Sequence, residues 1–416
     1  MAVSRNTVPF LVAMMLLTGV CNTLVTKFQM LQDKQCVRNC EDENPAHRAY
    51  FNQPVIQTAQ MFVGEMGCWL LVGATAAYRR FASKRSPSER GYQVISSSRP
   101  DSDENGDDDD DETPGDDQPS VLRGYRILLL AIPAICDICA TTLMNIGLLL
   151  VAASIYQMTR GALVLFVGLF SVVFLRRTLR LFQWSALAGV VLGVAIVGLS
   201  GAIWPDVKAN IISRGLSPAA DSPQGLSDVA KAVVGVLLIA GAQVFTAAQF
   251  VSEEWMLENS PIEPIKVVGW EGLFGFLVTA VVIIALHLAI GRTEAGRYGY
   301  FDAVEGLRQI WDDRSLLASS VIIMISIGGF NFFGLSVTRS VSATSRSTID
   351  TCRTLFIWVV SLGLGWESFK WLQIAGFALL VYSTFLFNGI VRPPLKCLRA
   401  EAEAEELLPE EPIEHQ

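Results

Sequence analysis

Ten stretches of about twenty apolar residues dominate this chain: roughly 7–26, 55–78, 126–151, 154–175, 181–201, 232–251, 266–290, 317–336, 341–364 and 368–390. Each is close to the length that crosses a ~30 Å hydrocarbon core as a helix. Most are apolar on every side, whereas a helix on a soluble core keeps one polar face. Only 17% of the 416 residues are charged, against about 25% in soluble domains. The pattern predicts an all-α membrane protein with ten transmembrane helices. The first stretch is read as a span and not a cleaved signal, since no small-residue cleavage site follows it.

The net charge of −8 conceals a basic body. The run "DSDENGDDDDDETPGDD" at 101–117 supplies 11 acidic groups, and the remainder of the chain stands at +3. Such a run reads as a solvated, self-repelling linker; it lacks the spaced ligands and turn glycine of a calcium loop. Positive residues set the orientation. Arg79, Arg80, Lys84, Arg85 and Arg90 follow the second span, Arg176, Arg177 and Arg180 the fourth, and Arg392, Lys396 and Arg399 the tenth. These place both termini in the cytosol. Residues 1–201 then form a first five-helix half with a disordered acidic cytosolic loop at about 79–125. Residues 202–231 join the halves, 232–391 form the second, and 392–416 are a disordered cytosolic tail.

Cys21, Cys68, Cys136, Cys139 and Cys352 fall inside spans and read as small apolar packing residues. Cys36 and Cys40 share the first loop, either as a disulfide or as two free thiols. No metal or cofactor signature is present. The three histidines, His47, His287 and His415, stand apart from any carboxylate cluster, and no nucleophile constellation or glycine-rich phosphate loop occurs, which argues against an enzyme.

A weak internal repeat runs through the chain. "AASIYQMTRGALVLFVGLFS" (152–171) aligns with "SATSRSTIDTCRTLFIWVVS" (342–361), and "WSALAG" (Trp184 to Gly189) then aligns with "WLQIAG" (Trp371 to Gly376). Five spans separate the copies, and an odd number forces opposite orientations. The prediction is two inverted-topology five-helix repeats, an arrangement of alternating-access secondary transporters. Gly189 and Gly193 form a small-residue stripe for close helix packing, with a homodimer face as the alternative.

Charges inside the spans carry the functional signal, because they are costly in hydrocarbon and face the bundle interior, a partner or a water-filled path. At 1.5 Å per residue, Arg160 lies about 9–10 Å from the lumenal end of its span, and Asp137 and Glu65 lie near the midplane. Asp137 and Arg160 are the expected ion pair, with Arg160 released to hold an anionic or zwitterionic solute and Glu65 the candidate proton site. Asp350 and Arg353 fall three apart on one helical face in the second half, with Glu271 and Asn331 nearer the cytosol.

The blocks "QMFVGE" (Gln60 to Glu65), "CDICATTLMNIGLLLVAASIYQMTRGALVLFVGLFSVVFLRR" (Cys136 to Arg177), "AAQFVSEEW" (Ala247 to Trp255) and "VVGWEGLFG" (Val267 to Gly275) resemble the drug/metabolite transporter superfamily of EamA-like carriers. Within it they are most similar to solute carrier family 35 subfamily F, nucleotide-sugar-transporter-like proteins, and to chloroquine-resistance-type transporters. The resemblance implies ten helices in two inverted halves around a central cavity that Asp137, Gln157, Arg160 and Glu65 line or support. Asn145, Asp350 and Arg353 complete the candidate substrate-binding set. It implies no particular substrate.

Two short signals on the cytosolic side, "GYQVI" around Tyr92 and "EAEELL" ending in Leu407-Leu408, are the form that sorting adaptors read. They point to an endolysosomal or vacuolar membrane, with the Golgi or another endomembrane as alternative. The expected function is transport of a small organic solute by alternating access, with proton coupling. The competing expectation is a non-transporting membrane scaffold or receptor acting through its acidic loop and tails.

Overall fold

The computed structural model of the chain describes residues 7–29, 36–38, 49–51, 53–85, 124–150, 160–161, 163–203, 226–293, 299, 301–365 and 369–393. In chain order the helices are α1 (Thr7–Gln29), α2 (Pro54–Met66), α3 (Cys68–Arg85), α4 (Ala131–Leu150, entered through a 3-10 turn at Gly124–Leu130), α5 (Leu163–Phe174), α6 (Leu181–Ile203), α7 (Leu226–Glu258), α8 (Pro264–Leu286, extended by a π turn at His287–Gly291), α9 (Ala303–Asp312), α10 (Arg314–Ser340), α11 (Ala343–Gly363) and α12 (Trp371–Phe387). Between α1 and α2 the chain forms a small antiparallel ribbon, β1 (Cys36–Arg38) against β2 (Ala49–Tyr50), with Cys36 opposite Tyr50. Cys40, Tyr92, Gln157, Leu407, Leu408 and the acidic run lie outside the described residues.

Helix occupies most of the described part of every apolar segment expected from the sequence. Six helices among the described residues are long and apolar enough to cross a membrane by themselves, starting at Thr7, Val55, Ile127, Val233, Pro264 and Arg314. The exterior is apolar, as lipid contact demands: Leu70, Ile325, Leu237 and Trp371 all point outward. Helix ends follow local chemistry. Pro54 and Pro264 open α2 and α8, where a missing N–H costs nothing. Asp302, Asp313 and Ser342 accept backbone N–H bonds at the starts of α9, α10 and α11. α9 was not among the expected segments; it is a short amphipathic helix whose Gly306 and Ile310 are buried and whose Val304, Leu307 and Trp311 are exposed. α7 starts at Leu226, inside the expected inter-half connection.

The bundle is built from specific pairings: α1 on α10, α4 on α7, α2 on α8 and α10, α4 on α8, α5 on α7 and α11, α1 on α11, and α6 on α12. Glycines set several of these distances. A Cβ on Gly193 would lie 2.9 Å from the carbonyl oxygen of Gly376, and one on Gly376 would lie 2.8 Å from that of Gly193. The Gly189–Gly193 stripe therefore packs within the chain, against Ser383, Gly376 and Leu380 of α12.

Candidate functional site

The site is assembled where α2 is squeezed between two helices. A Cβ on Gly64 would stand 2.2 Å from the Met324 carbonyl oxygen of α10, and one on Gly272 of α8 would stand 2.6 Å from the Glu65 Cβ. Only glycine permits backbones this close. α2 ends one residue beyond Glu65, and Gly67, with helical backbone angles, joins it to α3 so that Val55–Arg80 run on as one long apolar helix. Glu65 is buried, and its Oε1 accepts a hydrogen bond from Asn331 Nδ2 of α10 at 2.6 Å.

Around Glu65 the fold gathers charge from four further helices. Asp137 of α4, Glu253 of α7, Glu271 of α8 and Arg346 of α11 interact electrostatically as one group. Glu65, Glu253, Glu271 and Arg346 are 4%, 1%, 6% and 1% exposed. Arg346 donates from Nη1 to Glu253 Oε2 at 2.5 Å, and its guanidinium lies over the Phe250 ring, 4.0 Å from the centroid. Gly334 leaves room for it, since a Cβ there would meet Nε at 2.8 Å. Arg346 Nε and Glu271 Oε1 are buried with no hydrogen-bond partner among the described residues. One guanidinium therefore faces four carboxylates in a closed, low-dielectric interior, where uncompensated charge is costly. Among the described residues, the thiols of Cys68 and Cys136 also face it.

The sequence-predicted residues divide. Glu65 and Asp137 enter the cluster. Arg160 does not join Asp137: among the described residues no ion pair links them, and the arginine acting on Asp137 is Arg346. The residue after Arg160, Gly161, packs against Val194 of α6. Asp350 and Arg353 do pair, Nε to Oδ1 at 3.2 Å, with the guanidinium over Phe330 at 4.7 Å and the Arg353 Cδ against Gly19 of α1. Asn145, two turns beyond Asp137, is exposed. Gln157 lies outside the described residues.

Two central residues, Glu253 and Arg346, were missed. Both sit at the rim of their apolar segment in sequence: Glu253 beyond an expected end at 251, and Arg346 in the serine- and threonine-rich opening of α11. Neither interrupts an apolar run, so neither stands out. The signal that was available is the "SEEW" doublet, two acids closing a span. Its second member, Glu254, meets Arg177 Nη2 at 2.9 Å, and Arg177 also binds Glu258. Arg339 donates to the Ile262 carbonyl at 2.7 Å. This end of the bundle is thus tied across α5, α7, α8 and α10. Away from it, Gln29 and Gln60 both donate to Ser320 Oγ at 3.0 Å, and Gln57 donates to Gln29, an amide seam joining α1, α2 and α10.

Known proteins resemble this chain over most of its length. A family profile described as Nucleotide-sugar transporter matches residues 120–246. Solute carrier family 35 member F6 of Homo sapiens is 34% identical over 407 residues, covering 96% of this chain and 95% of that protein. The protein of the same name in Rattus norvegicus is 33% identical over 391 residues, 94% of this chain and 90% of its own length. An uncharacterised protein of Schizosaccharomyces pombe is 34% identical over 381 residues, 92% of this chain and 97% of its own. One protein crystal structure superposes with a TM-score of 0.56 at 12% identity, over 93% of this chain and 98% of that one.

Proposed function

The chain belongs to solute carrier family 35 subfamily F of the drug/metabolite transporter superfamily, and from that premise we propose that it carries a small organic solute by alternating access, coupled to protons, through the Glu65–Asp137–Glu253–Glu271–Arg346 cluster. As a member of a carrier family it is an integral, multi-pass membrane transporter and not an enzyme.

The helix pairing supports two inverted halves. Take α1, α2 with α3, α4, α5 and α6 as the first half, and α7, α8, α10, α11 and α12 as the second. Exchanging the halves in order turns α1–α10 into α7–α4, α5–α7 into α11–α1, and α2–α10 into α8–α4. The α2–α8, α5–α11 and α6–α12 pairs map onto themselves. All of these pairings are present. The cluster follows the same exchange: Glu65 and Glu271 come from corresponding helices, as do Asp137 and Asn331. Carriers built from inverted repeats bind at that interface, near the midplane.

The observation that carries the reading is the buried set of four carboxylates around one guanidinium. A purely structural bridge needs one acid for one base. Three surplus acids in a closed interior call for protons or a cationic group as counter-charge, which is what a proton-coupled carrier exchanges. Glu65 keeps its expected role as a proton site within this set. Both termini and the 79–125 loop face the cytosol in this reading, and Tyr92 with Leu407-Leu408 address the protein to an endolysosomal or vacuolar membrane.

Solute flux in proteoliposomes of the purified protein is the test. Saturable uptake that responds to a pH gradient supports the reading. Absence of flux, with partner binding to the loop and tails intact, supports the scaffold instead.

A further inference from the structure

Charge in the cluster also selects the solute, and this inference rests on the carrier reading above. With every group ionised the cluster carries four negative charges and one positive. Its guanidinium is engaged through Nη1 and one face: Arg346 is bound to Glu253 at 2.5 Å and covered by Phe250 at 4.0 Å. Glu65 is held by Asn331 at 2.6 Å. Among the described residues, two carboxyl groups are left without such a hold. Glu271, 94% buried, presents an Oε1 with no partner among the described residues, and Asp137, half-buried, lies within electrostatic reach of it.

We infer that this site takes an organic cation, a protonated amine or the ammonium end of a zwitterion, with Glu271 and Asp137 as its acceptors, and that it rejects nucleotide sugars. A nucleotide sugar would bring the negative charges of its phosphates to carboxylates that already outnumber the arginine, and burying like charges together is strongly unfavourable. A cation does the reverse. It enters as a proton leaves Glu271 or Asp137, so the occluded site holds the same charge in both halves of the cycle, and the coupling is exchange of cation for proton. The match to the Nucleotide-sugar transporter profile does not oppose this. It spans residues 120–246 and includes Asp137, but Glu65, Glu253, Glu271 and Arg346 all fall outside it.

The test uses the full-length protein in proteoliposomes with an acidic interior and an entrapped pH-reporting dye. Three pools are added outside in turn: organic amines and quaternary ammonium ions, neutral nucleosides and sugars, and nucleotide sugars. The amine pool is expected to raise the internal pH above the change in protein-free liposomes, and the other two pools are not. Glu271→Gln is expected to lower this response about ten- to a hundredfold, the factor associated with one charge-assisted hydrogen bond. Asp137→Asn acts as the second variant should Glu271→Gln not elute as a monodisperse protein. Gly73→Ala, where an added Cβ meets nothing within 4 Å, retains the response. Flux from the neutral or nucleotide-sugar pool but not from amines overturns the cation assignment and leaves the carrier reading standing. Amine flux undiminished in both Glu271→Gln and Asp137→Asn overturns the site. Flux from no pool, with folded protein, defeats both.

Discussion

Replacing Arg346 and replacing Glu253 should have unequal consequences, although the two form one ion pair. Arg346→Met removes the one guanidinium among the described residues in reach of Glu65, Asp137, Glu253 and Glu271. Breaking one side of a buried pair costs about 3–5 kcal/mol, and losing a desolvated cation–π contact such as that on Phe250 adds about 2 kcal/mol. The expected total is about 5–7 kcal/mol, a large part of the ~5–15 kcal/mol that keeps a typical protein folded. Glu253→Gln leaves Arg346 with three carboxylates still in reach and an amide oxygen to accept its hydrogen bond. Its expected cost is about 1–2 kcal/mol, the difference between a charged and a neutral hydrogen bond. In the double variant the orphaned Glu253 charge is gone, so it should be more stable than Arg346→Met alone, and the two changes should not add. The assay is thermal unfolding of the three detergent-solubilised proteins, read as the monodisperse fraction after heating. Equal losses for the two single variants, or a larger loss for Glu253→Gln, would refute the picture of one arginine serving four acids.

Gly64→Ala should destabilise by about 1–3 kcal/mol through overpacking on the Met324 backbone, while Gly73→Ala leaves the melting temperature unchanged. Arg177→Ala releases both Glu254 and Glu258, and cysteines placed on the α7–α8 connection should then react faster with a membrane-impermeant thiol reagent from the cytosolic side; an unchanged rate would remove Arg177 as a tie. Protease added to intact organelles should cut within 79–125, and protection of that loop would reverse the orientation. Changing Tyr92, Leu407 and Leu408 together to alanine should shift the protein to the plasma membrane in fluorescence imaging, and an unmoved signal would count against the endolysosomal address.

Length and apolarity alone determined the helical segments, because about twenty apolar residues in hydrocarbon have few alternatives to a helix. Those segments coincide with described helices from α1 to α12, while α9 escaped notice because ten amphipathic residues lack an apolar run. Glu65 and Asp137 were legible for the same reason: each interrupts a long apolar stretch. The Asp350–Arg353 pair followed from helical spacing, a local rule that needs no tertiary knowledge. Which charge meets which across helices was not local. Asp137 and Arg160 are close in sequence, yet Asp137 answers to Arg346, about two hundred residues away. Only the packing of α2, α4, α7, α8 and α11 brings those groups together, and the decisive distances are set by glycines such as Gly64, Gly272 and Gly334. The cost of a buried charge requires that it find a partner; the shapes of the helices that surround it decide which partner it finds.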